Sequence, residues 1–299
     1  MFERILLPLD GSELSEMTIP YGEELAGKLG SEIVLYHVHA HENANQEHMH
    51  KMYLERVAEI MQRNIKNKQP GGNELRVTTI VESGEATENI CNLIERNNID
   101  LIIMTAVNAS GLKIGKMLGS VTDHVCQTVP IPVMLIRTQN PRQYGQQARL
   151  TNHILIPVDG SELSKLALPV AEELAKKLNI GITLFQMATT IRPFNDASGA
   201  GSFIDYSRVN QDEQQRVGAE MNTLEKELRG LGLNAASVVT TGSDAANEII
   251  ELCREANIDL VVMSTHGRSG LGRWVFGNVA EKVIRHGETP LLLVHARAG

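Results

Sequence analysis

The sequence predicts an α/β fold with two similar domains, each a five-stranded, mostly parallel sheet with helices on both faces. Apolar, β-branched runs alternate with amphipathic helical segments and no tight hairpin signals separate them, a pattern typical of parallel sheets. The first half of the chain also returns in the second half, and 299 residues suffice for two such cores.

The repeat consists of three pairs of matching segments in the same order. Residues 5–15 (ILLPLDGSELS) return as 154–164 (ILIPVDGSELS), 98–104 (NIDLIIM) as 257–263 (NIDLVVM), and 119–125 (GSVTDHV) as 277–283 (GNVAEKV). So long a period excludes a solenoid and indicates a duplicated domain. We expect the two copies at 1–138 and 152–299, with 139–151 as a polar linker.

Each copy is expected to open with a strand, at 4–9 and 153–158, that ends in an Asp-Gly-Ser turn. The serine of this turn is a typical N-cap for the helix that follows over 13–29 or 162–178. Both helices contain a proline, which predicts a late start or a kink because proline disrupts a helix interior.

The remaining elements follow the same order in both copies. Further strands are predicted at 32–38, 75–81, 100–104 and 132–137, and again at 180–187, 234–240, 259–263 and 290–295, with helices at 86–97 and 245–256 before the fourth strands. In such sheets ligands lie beyond the carboxyl ends of the strands, where the strand order reverses. The Asp-Gly-Ser turns and the loops after the fourth strands both reach that edge.

An insertion at 192–207, rich in glycine and serine, predicts either a mobile loop or a lid.

Composition argues against several classes of partner. A formal net charge of −8 disfavours nucleic acid. No run approaches the ~20 apolar residues that a membrane helix requires, and the first residues lead into a strand instead of a signal peptide. Cys91, Cys126 and Cys253 form no CxxC pair, so we expect no disulfide framework and a cytoplasmic location.

A glycine-rich loop follows the fourth strand of the second copy, with Gly267, Gly270 and Gly272 ahead of a helix. A strand, such a loop and a helix together present backbone amides to an anion. The spacing fits neither the dinucleotide fingerprint nor the P-loop, and a simple tight connection is the alternative.

These segments resemble the universal stress protein family in its tandem form, over nearly the whole chain. The resemblance is carried in both copies by the Pro-Leu/Val-Asp-Gly-Ser turn, the Ile-Asp-Leu fourth strand and the Gly-Ser/Asn-Val start of the last helix. It implies two Rossmann-like domains of the adenine nucleotide alpha hydrolase type.

The nucleotide-binding branch of that family follows strand four with Gly-x-x-Gly, nine residues, and Gly-Ser or Gly-Thr. The second copy matches with Ser264-x-x-Gly267, nine residues, and Gly277-Asn278. It departs at Ser264, which stands for a glycine, and at Asn278, which stands for a hydroxyl residue. The resemblance implies that ATP or AMP, with or without Mg²⁺, binds mainly in this copy.

By position, the resemblance places Asp159 near the ribose or the metal-phosphate region and Pro157 and Val158 near the base, while Met187 lines the adenine pocket. The rest of the expected nucleotide site follows strand four or opens the last helix: Met263, Ser264, His266, Gly267, Arg268, Gly270, Gly277, Asn278 and Val279. A role for Asp159 only as a turn acid, and for His266 only as a solvated side chain, stays open.

The first copy retains less of this motif. Thr105-Ala106-Val107-Asn108 replaces Gly-x-x-Gly, and ten residues instead of nine precede Gly119-Ser120. Asp10 and Val38 keep their places. We therefore expect one nucleotide site, in the second copy, and a partner that is mainly structural.

Five histidines cluster in the first copy, and they suggest a different chemistry. His37, His39 and His41 alternate at a strand end, and His48 and His50 begin the next helix. Their number and type suit zinc or nickel. A coincidental solvated cluster is the preferred interpretation, and no metal site is predicted.

Three functions are compatible with these residues. The first is a cytoplasmic stress-response protein that binds an adenine nucleotide and acts as a regulator or switch. The others are a nucleotide-independent interaction module and a slow ATP hydrolase; the last is disfavoured because the sequence shows no P-loop lysine and no base paired with a nucleophile.

The resemblance also implies how the two copies assemble. Single-domain members of the family commonly pair through their last strand, so 132–137 and 290–295 are expected to form a pseudo-symmetric dimer within the chain. An exposed apolar edge strand favours such pairing on physical grounds. A homodimer of the whole chain is a further expectation.

Overall fold

The structure, a computed structural model, describes residues 1–40, 44–68, 75–106, 118–137, 150, 153–191, 205–265 and 276–295. The strands are β1 (Arg4–Pro8), β2 (Glu32–His39), β3 (Val77–Ser83), β4 (Leu101–Thr105), β5 (Val133–Ile136), β6 (His153–Pro157), β7 (Gly181–Thr189), β8 (Ala235–Gly242), β9 (Leu260–Ser264) and β10 (Leu291–Val294). The helices are α1 (Glu13–Glu16), α2 (Ile19–Leu29), α3 (Ala44–Lys68), α4 (Ala86–Arg96), α5 (Ser120–Thr128), α6 (Glu162–Lys165), α7 (Ala167–Leu178), α8 (Tyr206–Gly230), α9 (Ala245–Glu255) and α10 (Asn278–His286).

All ten strands form one sheet in the order β3-β2-β1-β4-β5-β10-β9-β6-β7-β8. Within each copy the paired strands are parallel, and only β5 and β10, which join the copies, run antiparallel. The α/β fold class is therefore confirmed, and so is the predicted contact between the last strands.

Helices cover both faces of the sheet because side chains of buried parallel strands point alternately to either side. Ile5 and Leu7 of β1 pack in one apolar layer, which contains α2, α3, α7 and α8. Leu6 points the other way, into a layer with α4, α5, α9 and α10. Both layers include residues from both copies.

The helix after the first turn is interrupted in each copy, as its proline predicts. Ser12 caps α1, accepting a hydrogen bond from the Ser15 amide, and α2 then begins with Pro20 in its first turn. A proline is tolerated there because the first amides of a helix have no intrahelical acceptor. The second copy repeats the arrangement, with Ser161 as the cap of α6.

Contacts beside the β5–β10 pair also join the copies. The Arg137 guanidinium donates to the Val283 carbonyl near the end of α10 at 2.7 Å, and burial lowers the pKa of this arginine to about 10. The terminal amine of Met1 lies 3.2 Å from the Glu173 carboxylate of α7. Because β5 and β10 pair with each other, they are not available to pair two chains.

Several predictions fall on residues that the structure does not describe. The linker is described only at residue 150 and the insertion only from 205 onward, and the domain boundaries stay a prediction.

Cys91, Cys126 and Cys253 are free thiols on α4, α5 and α9. No helix in the described part of the chain is long and apolar enough to cross a bilayer.

Candidate functional site

At the carboxyl edge of the second copy the strand order reverses between β6 and β9, where sheets of this type form a ligand-binding crevice. The chain leads from β6 outward through β7 to β8, whereas β9 and β10 lie on the other side, so the strand order reverses here. Pairing between the two strands ends with Leu155 and Val261. Pro157 has no amide to extend it, and this is the place where sheets of this type bind ligands.

The Asp-Gly-Ser turn fixes a carboxylate at the mouth of this crevice. Asp159 Oδ1 accepts hydrogen bonds from the Ser161 amide at 2.9 Å and from the Ser161 hydroxyl at 2.6 Å. The Asp159 amide donates to Ser164 Oγ at 3.2 Å. Gly160 has φ +80°, a left-handed conformation that favours glycine. Asp159 thus has a structural role in the turn while its side chain stays only half-buried.

The residues predicted to contact the base are not equally placed to do so. Val158 is 7% exposed and packs in the apolar layer that holds α7 and α8, so its side chain contributes to that core. Met187 of β7 points to the opposite layer and is partly exposed. Pro157 and Met263 are buried.

The end of β9 and the start of α10 form the other side of the crevice. The Gly277 amide donates to the Thr265 carbonyl at 2.9 Å, which closes the loop between them. Among the described residues no side chain caps α10, whose N-cap is Gly277, so its first-turn amides are suited to an anion. Asn278 and Val279 are exposed in this turn, and Ser264 is buried at the end of β9.

Four residues of the expected site, His266, Gly267, Arg268 and Gly270, lie outside the described residues. The described part of the site therefore consists of the β6 turn, the ends of β7 and β9, and the first turn of α10.

Comparison with known proteins identifies the family. The family model described as "Universal stress protein family" matches residues 1–137 and 151–295. This chain belongs to the universal stress protein family.

Individual relatives cover one copy or both. A universal stress protein of Methanocaldococcus jannaschii is 31% identical over 145 residues, which are 48% of this chain and 82% of that protein. Among solved structures, a functionally unknown protein from Pseudomonas aeruginosa PAO1 has TM-score 0.71 at 17% identity, covering 98% of this chain and 92% of that one. A universal stress protein from Archaeoglobus fulgidus DSM 4304 has TM-score 0.67 at 19% identity, covering 98% and 96%. At these identities the structures support the fold alone.

The first universal stress protein copy has the same turn. Asp10 Oδ1 accepts from the Ser12 amide at 2.9 Å and from the Ser12 hydroxyl at 2.6 Å. Burial alone would raise the pKa of Asp10, but the hydrogen bonds from Ser12 and Ser15 outweigh it and hold the pKa below its usual value. The carboxylate turn is therefore common to both copies and does not distinguish them.

The copies differ beside the predicted base pocket, at residues that the sequence analysis did not single out. In the first copy the Tyr36 hydroxyl donates to Glu82 Oε2 at 2.6 Å, and Arg96 donates to Glu82 Oε1 at 2.5 Å. Strand register places Phe185 and Thr240 at the positions of Tyr36 and Glu82. Aligning the two copies at their second and third strands would have revealed this paired difference.

The histidine cluster of the first copy forms a stack. The His37 and His50 ring centroids lie 4.1 Å apart at 22°, and those of His39 and His50 lie 5.5 Å apart at 19°. A metal ion must lie in the plane of each imidazole that binds it, which two stacked rings do not allow. The described residues contain no group of three His, Cys, Asp or Glu arranged to hold a metal. His48 is exposed and His41 lies outside the described residues.

A cavity of about 1490 Å³ occupies the opposite, amino edge of the first copy. Its lining includes the Arg4–Glu32 ion pair (3.0 Å), and it contains none of the predicted site residues. Since ligands of parallel sheets bind at the carboxyl edge, this cavity is not the candidate site.

Proposed function

We propose that this universal stress protein binds an adenine nucleotide, ATP or AMP, in the crevice of the second copy and acts as a ligand-dependent regulator in the cytoplasm. The observation that carries the proposal is the position of a fixed carboxylate, Asp159, opposite the start of α10, which no described side chain caps, across a strand-order reversal. The amides of α10 suit phosphate oxygens, and Asp159 suits ribose hydroxyls.

Mg²⁺ fits this site as a companion of the phosphates. Proteins typically hold Mg²⁺ with one or two carboxylates together with substrate phosphates, and Asp159 supplies one carboxylate. Its Oδ1 also accepts two hydrogen bonds from Ser161, which keep the group oriented without a metal.

The test compares Asp159→Ala with Asp10→Ala by calorimetric titration with ATP and AMP. Both substitutions remove the same two hydrogen bonds from the same kind of turn, so Asp10→Ala controls for the loss of those two bonds. We expect Asp159→Ala to weaken binding about tenfold or more, since a hydrogen bond involving a charged group contributes about 1.5–3 kcal/mol. Asp10→Ala should leave the affinity unchanged.

Two outcomes would contradict the proposal. If the wild-type protein binds no nucleotide at millimolar concentration, the chain is an interaction module. If Asp10→Ala weakens binding as much as Asp159→Ala, the ligand is not specific to the second copy. Phosphate release measured on the same samples separates a regulator, which should release none, from a hydrolase.

A further inference from the structure

We propose that Thr240 of β8 is the base-recognition residue of the second copy, with its hydroxyl hydrogen-bonding the edge of the purine. The inference rests on the proposed nucleotide site and adds a residue that the family motif does not contain. Four observations carry it: the position of Thr240, its unpaired hydroxyl, its neighbour Met187 and the contrasting first copy.

Thr240 lies at the end of the proposed nucleotide site that is farthest from the phosphates. Met187 of β7 is its register partner, and both face the layer that contains α9 and α10. From β9 to β8 the sheet spans three inter-strand spacings, about 14 Å. Phosphates at α10 and a ribose at Asp159 thus direct the base toward β7 and β8.

The hydroxyl oxygen of Thr240 is buried. Its Oγ1 has no hydrogen bond to any of the described residues. A buried polar atom without a partner is unfavourable, so such atoms require an explanation, and a ligand group is one.

Met187 is suited to cover this hydroxyl in the free protein. Its Sδ lies 3.2 Å from the position that a Cβ would take at Gly242, so the side chain leans over β8 next to Thr240. Methionine is flexible and adapts to different surroundings. A base that displaces the Met187 side chain would uncover the Thr240 hydroxyl and keep a thioether against its ring.

In the first copy, the side chains at the equivalent positions are hydrogen-bonded to each other. There Glu82 stands for Thr240 and accepts hydrogen bonds from Tyr36 and Arg96. Phe185, which stands for Tyr36, has no hydroxyl to offer Thr240. The two positions differ together, so one copy is internally paired and the other retains a hydrogen-bonding group for a ligand.

The test measures ATP and inorganic tripolyphosphate binding to Thr240→Val and to its control Thr241→Val, which alters the next, exposed residue on the other face of β8. Valine keeps the shape of threonine and removes the hydroxyl. We expect Thr240→Val to weaken ATP binding about five- to tenfold and to leave tripolyphosphate binding unchanged, because tripolyphosphate has no base. Thr241→Val should change neither.

Thermal unfolding of the free proteins provides the second readout. Removing an unpaired buried hydroxyl should leave the Tm of Thr240→Val equal to or above that of the wild type, so weaker ATP binding cannot come from poor folding. Unchanged ATP affinity in Thr240→Val, while Asp159→Ala still loses it, would overturn this inference alone. An equal loss of tripolyphosphate binding would overturn it too, whereas no ATP binding by the wild type would overturn the proposed function.

Discussion

At the scale of single residues, the first copy contains a titrating group that the second copy lacks. His37 is 5% exposed, and its Nδ1 lies 2.7 Å from the Leu9 carbonyl. Burial lowers the pKa of His37 and is the largest effect; the hydrogen bond with the Leu9 carbonyl opposes it, His50 and His39 lower the pKa further, and Asp10 raises it slightly. Strand register places Gln186, which does not titrate, at the equivalent position.

We predict that acid destabilises this protein partly through His37. Since its folded-state pKa is lowered, the unfolded chain binds a proton more readily, and stability falls as the pH drops below about 6.5. His37→Gln, which installs the residue of the second copy, should flatten the unfolding free energy between pH 7 and 5. One group contributes at most about 1.4 kcal/mol per pH unit to this slope.

Urea unfolding at several pH values measures this slope. His48→Gln is the matched control, because His48 is exposed on the same helix as His50 and should leave the slope unchanged. A residual slope in His37→Gln is expected from His153, whose pKa burial also lowers. An unaltered slope in His37→Gln would contradict the assignment.

At the scale of elements, the turn after β6 links helix capping to the candidate site. Ser161 Oγ accepts from the Ser164 amide at 3.1 Å and donates to Asp159 Oδ1 at 2.6 Å. One hydroxyl therefore starts α6 and orients the carboxylate.

We predict that Ser161→Ala lowers the unfolding free energy by about 1 kcal/mol, as is typical for the loss of an N-cap, and also weakens ATP binding. Ser12→Ala removes the same contacts from the first copy, so it should cost similar stability and leave the affinity unchanged. Denaturant unfolding and titration of both variants check this. Equal affinities for ATP would show that Ser161 acts on folding alone.

Periodicity and turn residues are enough to predict the elements of this chain. The observed strands differ from the predicted ones by at most two residues at an end, as in β3, which begins at Val77 and not at residue 75. The break before α2 follows from Pro20. These features are local, so the sequence near them determines them.

Pairs across strands could not be predicted in the same way. Tyr36 meets Glu82 only because β2 and β3 pair in one particular register, and β2, which is buried on both faces, has no alternating pattern that would specify this register. The stack of His37 on His50 depends on where α3 docks on β2, a tertiary property. For the candidate site, the sequence pointed to the turn and to the start of α10, but not to Thr240, the residue that we propose for the base, because no motif contains it.

At the scale of the whole molecule, the β5–β10 pair makes the two cores interdependent. Leu292 of β10 pairs with Met134 of β5 and is 1% exposed in a layer shared by both copies. A cavity left by a smaller side chain at this position would reduce the packing of residues from both copies.

We predict that Leu292→Ala destabilises the protein by about 2–5 kcal/mol, the usual cost of truncating a buried leucine. Hydrogen exchange should show β1 and β6 losing protection together, although Leu292 belongs to the second copy. Leu231→Ala, at a leucine that is 51% exposed, is the control and should have little effect. Protection that falls in β6 while β1 is unaffected would mean that the copies unfold independently.

The antiparallel meeting of β5 and β10 has a consequence for access. It reverses the strand direction of one copy relative to the other, so the carboxyl ends of the strands of the two copies lie at opposite edges of the single sheet. A ligand that binds at the carboxyl edge of the second copy cannot contact the Asp10 turn, which lies at the opposite edge of the sheet. Any effect of a ligand bound at one edge on the other copy would therefore have to pass through the paired strands β5 and β10 at the centre of the sheet.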